Sequence, residues 1–239
     1  MKRMIPFLAA LTLGLGTTAT GQQPPAGASD AAVCAIPEGW QEVAGQEPLY
    51  VVFGELHGTR EGPQFVGNLV CALSAKGERV LLAVEHSAIH NAALQDAWND
   101  PVAGFATALV ETGWAGRNDG VGSEAMFDML VFVHALKERG LPISVVAFNG
   151  AKDEDQFKRF ANLPGQGPHE AAQAENIAEA AAAAPYDRVL VLVGAFHARK
   201  DLAQLGAAAV EPMARRLART GRMVTLDGLR RGKQLGLPA

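Results

Sequence analysis

The residues best able to do chemistry lie in Leu49-Tyr50-Val51-Val52-Phe53-Gly54-Glu55-Leu56-His57-Gly58. A carboxylate and an imidazole stand two apart after an unbroken apolar run. In extended backbone, residues i and i+2 leave the chain on the same side. Glu55 and His57 would therefore leave one strand end together, with Gly54 and Gly58 letting the backbone turn sharply beside them. Such a pair suits general acid–base work or metal ligation. Taken alone, the same stretch could be a helix-capping Glu and a His satisfied in a turn.

The elements that must hold the pair can be read from apolar spacing. The run over about residues 48–54 reads as a strand buried on both faces. Arg79 to Val84 is a second such run, ending in Glu85-His86. Ile143 to Phe148 is a third, ending in Asn149-Gly150, and Arg188 to Val193 a fourth, followed by Gly194-Ala195-Phe196-His197. Helical spacing marks Gly62 to Lys76, Ser87 to Trp98, Pro101 to about Val110, Glu124 to Arg139, Asp153 to Phe160 and His169 to Ala184. More helix follows residue 198, and Arg222 to Leu226 reads as a last strand. Thr112 to Ser123 carries four glycines and reads as a long loop, a class that is often functional.

Strands alternating with helices predict an α/β fold: a mainly parallel central sheet with helices on both faces, three layers in all. In open α/β sheets, sites form outside the carboxyl ends of the strands. Glu55, His57, Glu85 and His197 should then converge on one pocket, with Asn149 at a neighbouring strand end and Arg117 near the rim. Ionisable groups at three of four strand ends are poor packing material, because burying one is costly unless it is paired or used. Glu85 and His86 are adjacent and point to opposite sides, so one of the two faces the pocket. His90 reads as a helix-surface residue, His134 as a core or surface filler, and His169 as an exposed residue at a helix start. Arg117 and Asp119 are either a surface ion pair or a substrate clamp, since arginine grips carboxylates and phosphates through two bonds.

Composition narrows the classes. Hydrophobic residues make up 49% and charged ones 19% of 239 residues, which describes a globular chain and not a disordered one. A formal net charge of −4 gives no sign of a nucleic-acid surface. Lys2-Arg3, the apolar stretch Ile5 to Gly16 and the small residues at Ala19-Thr20-Gly21 have the form of a signal peptide over 1–21. That stretch is shorter than the about 20 residues a membrane span needs, so the chain is expected not to span a membrane but to be exported, periplasmic or secreted. Residues 22–45 read as a flexible lead-in and 46–239 as a single domain. Cys34 and Cys71 are the only cysteines; in an oxidising compartment they are expected to pair, the alternative being two buried thiols.

Gly54-Glu55-Leu56-His57-Gly58 resembles the Gly-Glu-x-His signature of the superfamily of ChaN-like haem-uptake proteins, Tiki proteases and erythromycin esterases. The strand ending in Glu85 resembles its second acidic strand end. The Asp128–Asn149 stretch resembles its middle segment. Ala174 to Ala178, followed by Val189 to His197, resembles its terminal helix, strand and Gly-x-x-His motif. The resemblance spans about residues 45–200. It implies three uses of such a site: a His general base in esterase-like members, a metal at the Glu and Gly-x-x-His positions in Tiki-like proteases, and haem in ChaN-like members. The chain departs from the last group in having no lipid-attachment cysteine near the signal and no evident tyrosine ligand, only Tyr50 and Tyr186.

Two readings follow. In the first, the chain is an exported hydrolase acting on a small molecule or peptide. His57 takes a proton from water; Glu55 or Glu85 orients the ring or holds Zn²⁺ or Mn²⁺, for which Glu55, His57, Glu85 and His197 are the donors; and His197 completes the site. In the second it is a haem- or metal-binding uptake protein, with His57 or His197 as axial ligand and Arg117 on a propionate.

Overall fold

The computed structural model describes residues 34–99, 104–114, 116–117 and 119–227. The expected signal peptide and the first part of the lead-in lie outside the described residues. In chain order the elements are α1 (Trp40–Ala44), β1 (Tyr50–Glu55), α2 (Glu61–Ser74), β2 (Val80–Ser87), α3 (Asn91–Asn99), α4 (Phe105–Leu109), α5 (Glu124–Glu138), β3 (Ile143–Asn149), α6 (Glu154–Phe160), α7 (Gly167–Ala182), β4 (Arg188–Gly194), β5 (Ala203–Leu205), β6 (Ala208–Val210), α8 (Met213–Leu217) and β7 (Met223–Asp227).

The central sheet has the order β3-β2-β4-β1-β7, and all four pairings are parallel. The first strand pairs with the fourth and the last, so both motifs carrying Glu55 and His197 sit on neighbouring strands. The unbroken apolar runs divide by alternation between two cores. Val51, Phe53, Leu82, Val84, Leu190 and Leu192 pack under α2 and α5 with Leu69, Val70, Met129 and Leu130. Tyr50, Val52, Leu81, Ala83, Val191 and Val193 pack under α7 and α8 with Ala174, Ile177, Met213 and Leu217. Burial on both faces is what a parallel sheet requires, and it explains why the strands read as continuous and not as alternating.

Two local expectations need correction, and the expected disulfide is present. Trp40–Ala44, placed in the lead-in, is a helix whose Trp40 and Val43 are buried in the core under α2. Cys34 is bonded to Cys71 of α2 with Cα atoms 5.1 Å apart, so this part of the chain is pinned to the domain. Residues 203–210, expected to be helical, form a small antiparallel hairpin of β5 and β6; Ala203 and Val210 are its buried anchors. Among the described residues no helix is long and apolar enough to cross a membrane.

Candidate functional site

The carboxyl edge of the sheet carries an alternating row of carboxylates and imidazoles. Glu55 is the last residue of β1 and shares its parity with Val51 and Phe53, so it leaves towards α2. His57 follows in the turn. Its Nδ1–H donates to Glu55 Oε1 at 3.0 Å, and its Nε2 faces Glu85 Oε2 at 3.4 Å. Glu85 Oε1 in turn faces His197 Nε2 at 3.4 Å. His197 Nδ1–H donates to Glu170 Oε1 at 2.7 Å. The two outer contacts are hydrogen bonds in length; the two inner ones are longer than the usual range. Each imidazole is therefore held through Nδ1 by its own carboxylate, and the Nε2 edges of both turn toward Glu85.

Strand geometry explains why Glu85, and not His86, takes the central place. Glu85 continues the parity of Leu81 and Ala83, and His86 that of Leu82 and Val84. The β2–β3 register slips between Val84 and Ser87, the kind of irregularity that re-aims side chains next to sites. Glu85 Oε2 accepts the Gly194 N–H at 2.7 Å, which ties it to the end of β4. A Cβ on Gly194 would lie 2.7 Å from His57 Nε2, so the ring can come this close only to a glycine. Gly62, in the first turn of α2, plays the same part for Glu55: a Cβ there would lie 2.7 Å from Oε2. That oxygen is buried and has no hydrogen-bond partner.

The fifth member of the row, Glu170, was not singled out in the sequence. It lies in the first turn of α7 at 0% exposure, and its Oε2 accepts the Met213 N–H at 2.7 Å. Its signal was present: Glu170, Gln173, Ala174 and Ile177 share the buried helix face, and two polar residues on such a face call for partners. Gln173 supplies the partner for another predicted residue. Its amide donates to Asn149 Oδ1 at 2.8 Å and to His169 Nε2 at 2.9 Å. Asn149 thus sits at the end of β3, two strands from β4, in a polar cluster beside the row. Arg117 lies on the other side of β2, bonded to His86 and paired with Asp119. His134, far from the edge, stacks on Phe105 and bonds the Trp98 carbonyl.

The electrostatics follow from this geometry. The hydrogen bond to Glu55 raises the His57 pKa above its usual value; burial works against it, and the Glu85, Glu55 and Asp119 charges add to it. For His197 burial is the largest influence and lowers the value, yet the bond to Glu170 and the nearby carboxylates outweigh it and the net direction is up. Burial pushes the Glu85 carboxyl up, against the opposing pull of His197, the Gly194 N–H and His57. Among the described residues no group of three or more His, Cys, Asp and Glu forms a metal-holding cluster. The donors run in a line, each nitrogen facing an oxygen, and do not fit a metal ion as arranged.

No protein-family model matches the sequence, and no curated protein matches it. Solved structures are similar in fold. ChaN of Campylobacter jejuni, described for its cofacial haem binding, superposes with a TM-score of 0.52 at 12% identity, over 84% of this chain and 89% of that one. A structure of bacterial protein toxins superposes with a TM-score of 0.53 at 15% identity, over 82% of this chain but only 37% of the other. The type III effector HopBA1 reaches 0.43 at 16% identity. At these identities the likeness is one of fold, and the expected ChaN-like architecture is present.

Proposed function

We propose that the protein is an exported hydrolase whose reaction takes place where the Nε2 edges of His57 and His197 face Glu85. One observation carries the reading: two imidazoles, each oriented through Nδ1 by a buried carboxylate, turn their Nε2 edges to a third carboxylate between them. A carboxylate on Nδ1–H fixes the tautomer and leaves Nε2 as the working base. His57, with 29% of its side chain exposed, is the member a substrate can meet. In its neutral form it takes a proton from water as that water attacks an ester or amide carbonyl. Glu85, whose neutral form burial favours, gives a proton to the leaving group, and the proton on His57 returns to Glu85 across the 3.4 Å contact. No step passes through a metal ion. The substrate class is a small molecule or peptide. The Cys34–Cys71 bond supports an oxidising, exported setting.

The test is turnover of ester, peptide and phosphodiester probes by the purified protein and by His57→Gln and Glu85→Gln, with metal content measured on the same samples. Turnover lost in both variants with circular dichroism retained supports the reading. Turnover undiminished in His57→Gln overturns it.

A second reading is haem binding, favoured by Leu56, 60% exposed directly beside His57, on a fold shared with the haem-binding ChaN. His57 would then be the axial ligand and would have to turn its Nε2 from Glu85. Neither tyrosine serves: Tyr50 is buried with its hydroxyl on Thr220, and Tyr186 precedes β4, at the other edge of the sheet. A Soret band on haem addition, lost in His57→Gln, would favour this reading over hydrolysis.

A further inference from the structure

We infer that His86 and Arg117 are positioning residues for His57, acting through the glycine-rich loop that they hold against it. His86 is at 0% exposure and takes no part in the carboxylate–imidazole row. Both its nitrogens are nonetheless committed. Nε2–H donates to the Thr112 carbonyl at 2.6 Å, which leaves Nδ1 as a lone pair, and Arg117 Nη1 donates to that nitrogen at 3.2 Å. The ring is gripped on its faces as well, by Trp114 at 4.9 Å and His90 at 5.6 Å between centroids.

From Arg117 the support passes outward along the loop. Its Nε donates to Asp119 Oδ1 at 3.3 Å and its Nη2 to Asp119 Oδ2. Asp119 Oδ1 also accepts the Gly122 N–H at 3.4 Å. Between these two anchored residues lies Gly120, in the left-handed region at φ 77. A Cβ on Gly120 would stand 2.8 Å from His57 Cβ and 2.9 Å from the Gly58 nitrogen. The loop backbone therefore rests directly on His57.

The end of β2 thus serves His57 twice. Glu85 meets its Nε2 from one side of the strand, and His86, on the other side, anchors the loop that abuts its Cβ. An arginine is suited to the anchor because its planar fork serves Asp119 through two nitrogens and His86 through the third; a lysine could not do both. The inference rests on His57 being the working group proposed above, but its test needs no turnover.

The test is diethyl pyrocarbonate labelling of each histidine, followed by mass spectrometry, in the wild type, Arg117→Gln and Gly120→Ala. In Arg117→Gln the loop loses its hold, and His57 should label several-fold faster while buried His134 keeps its wild-type rate. Gly120→Ala leaves the anchor intact and forces the loop away from His57, so it should change His57 labelling in the same selective way and carries the test if Arg117→Gln does not fold. Unchanged His57 labelling in both variants overturns the inference. So does uniformly faster labelling of His57, His134 and His169, which would mean general loosening. Selective labelling in a protein that turns over no probe would leave the inference standing and remove the hydrolase reading.

Discussion

Replacing Glu170 by Gln tests the buried end of the row. Glu170 is fully buried and accepts two hydrogen bonds, from His197 Nδ1–H and the Met213 N–H, both at 2.7 Å. Glutamine keeps one carbonyl oxygen, which the Met213 amide needs, and presents an NH₂ group to His197. Nδ1 must then accept, and the ring proton moves to Nε2. The lost bond is charge-assisted, a class that contributes about 1.5–3 kcal/mol, so Glu170→Gln should destabilise by ~2 kcal/mol and lower Tm by about 4–8 °C for a domain of this size. The loss should depend on pH. His197 has a folded pKa raised above its unfolded value near 6.5. Its contribution is fully present below the unfolded pKa and fades as pH rises through the folded one. The gap between wild type and variant should therefore be widest at about pH 5.5 and narrowest at about pH 8.5. Differential scanning calorimetry across that range is the assay. A gap that stays constant, or that widens toward alkaline pH, would refute the reasoning, because the bond would then not hold a charged imidazole.

Reducing the Cys34–Cys71 bond should lower stability by about 4 kcal/mol on the loop-entropy model, given a sequence separation of 37 residues; denaturant midpoints with and without reductant measure it, and thiol titration of unreduced, denatured protein should find no free thiol. Gly62→Ala drives a methyl group to 2.7 Å from Glu55 Oε2 and should cost about 1–3 kcal/mol by overpacking; a wild-type urea midpoint would show that Glu55 yields freely. If His57 is the base, kcat/KM should rise with pH through a value above 6.5, because the Glu55 bond raises its pKa and the ring must lose its proton to act. A profile flat from about pH 5 to 8 would contradict that role.

The strand ends were legible because they depend on local pattern. Apolar runs at 50–55, 80–87, 143–149 and 188–194 are interrupted by ionisable residues only where the sheet stops, and a parallel sheet brings such ends to one edge. The convergence of Glu55, His57, Glu85 and His197 needed no more than that. The choice between Glu85 and His86 needed the core assignment of each strand face, which an unbroken apolar run conceals. Glu170 was hidden for a different reason. Its partner lies 27 residues away in the turn after β4, and a single Glu beside His169 at a helix start looks like an ordinary first-turn acid. The hairpin at 203–210 is not legible in the sequence because its strands are three residues each, too short for a period to declare itself.

The directions of the three shifted groups in the row fit one account of its charge. Two imidazolium rings against three carboxylates leave one negative charge in excess at a largely buried edge. Burying a net charge is costly, and the group best placed to neutralise it is the middle one, which borders both rings and is itself buried. A proton on Glu85 makes the row neutral with both rings charged. That state matches a raised Glu85 beside raised His57 and His197, where simple pairing with two cations would have pushed Glu85 down. The outer carboxylates hold the ring charges in place, while the long inner contacts mark where a proton is least tightly held. Once His57 loses its proton, its oriented Nε2 and the buried carboxyl of Glu85 can exchange a proton with whatever meets that ring at the mouth.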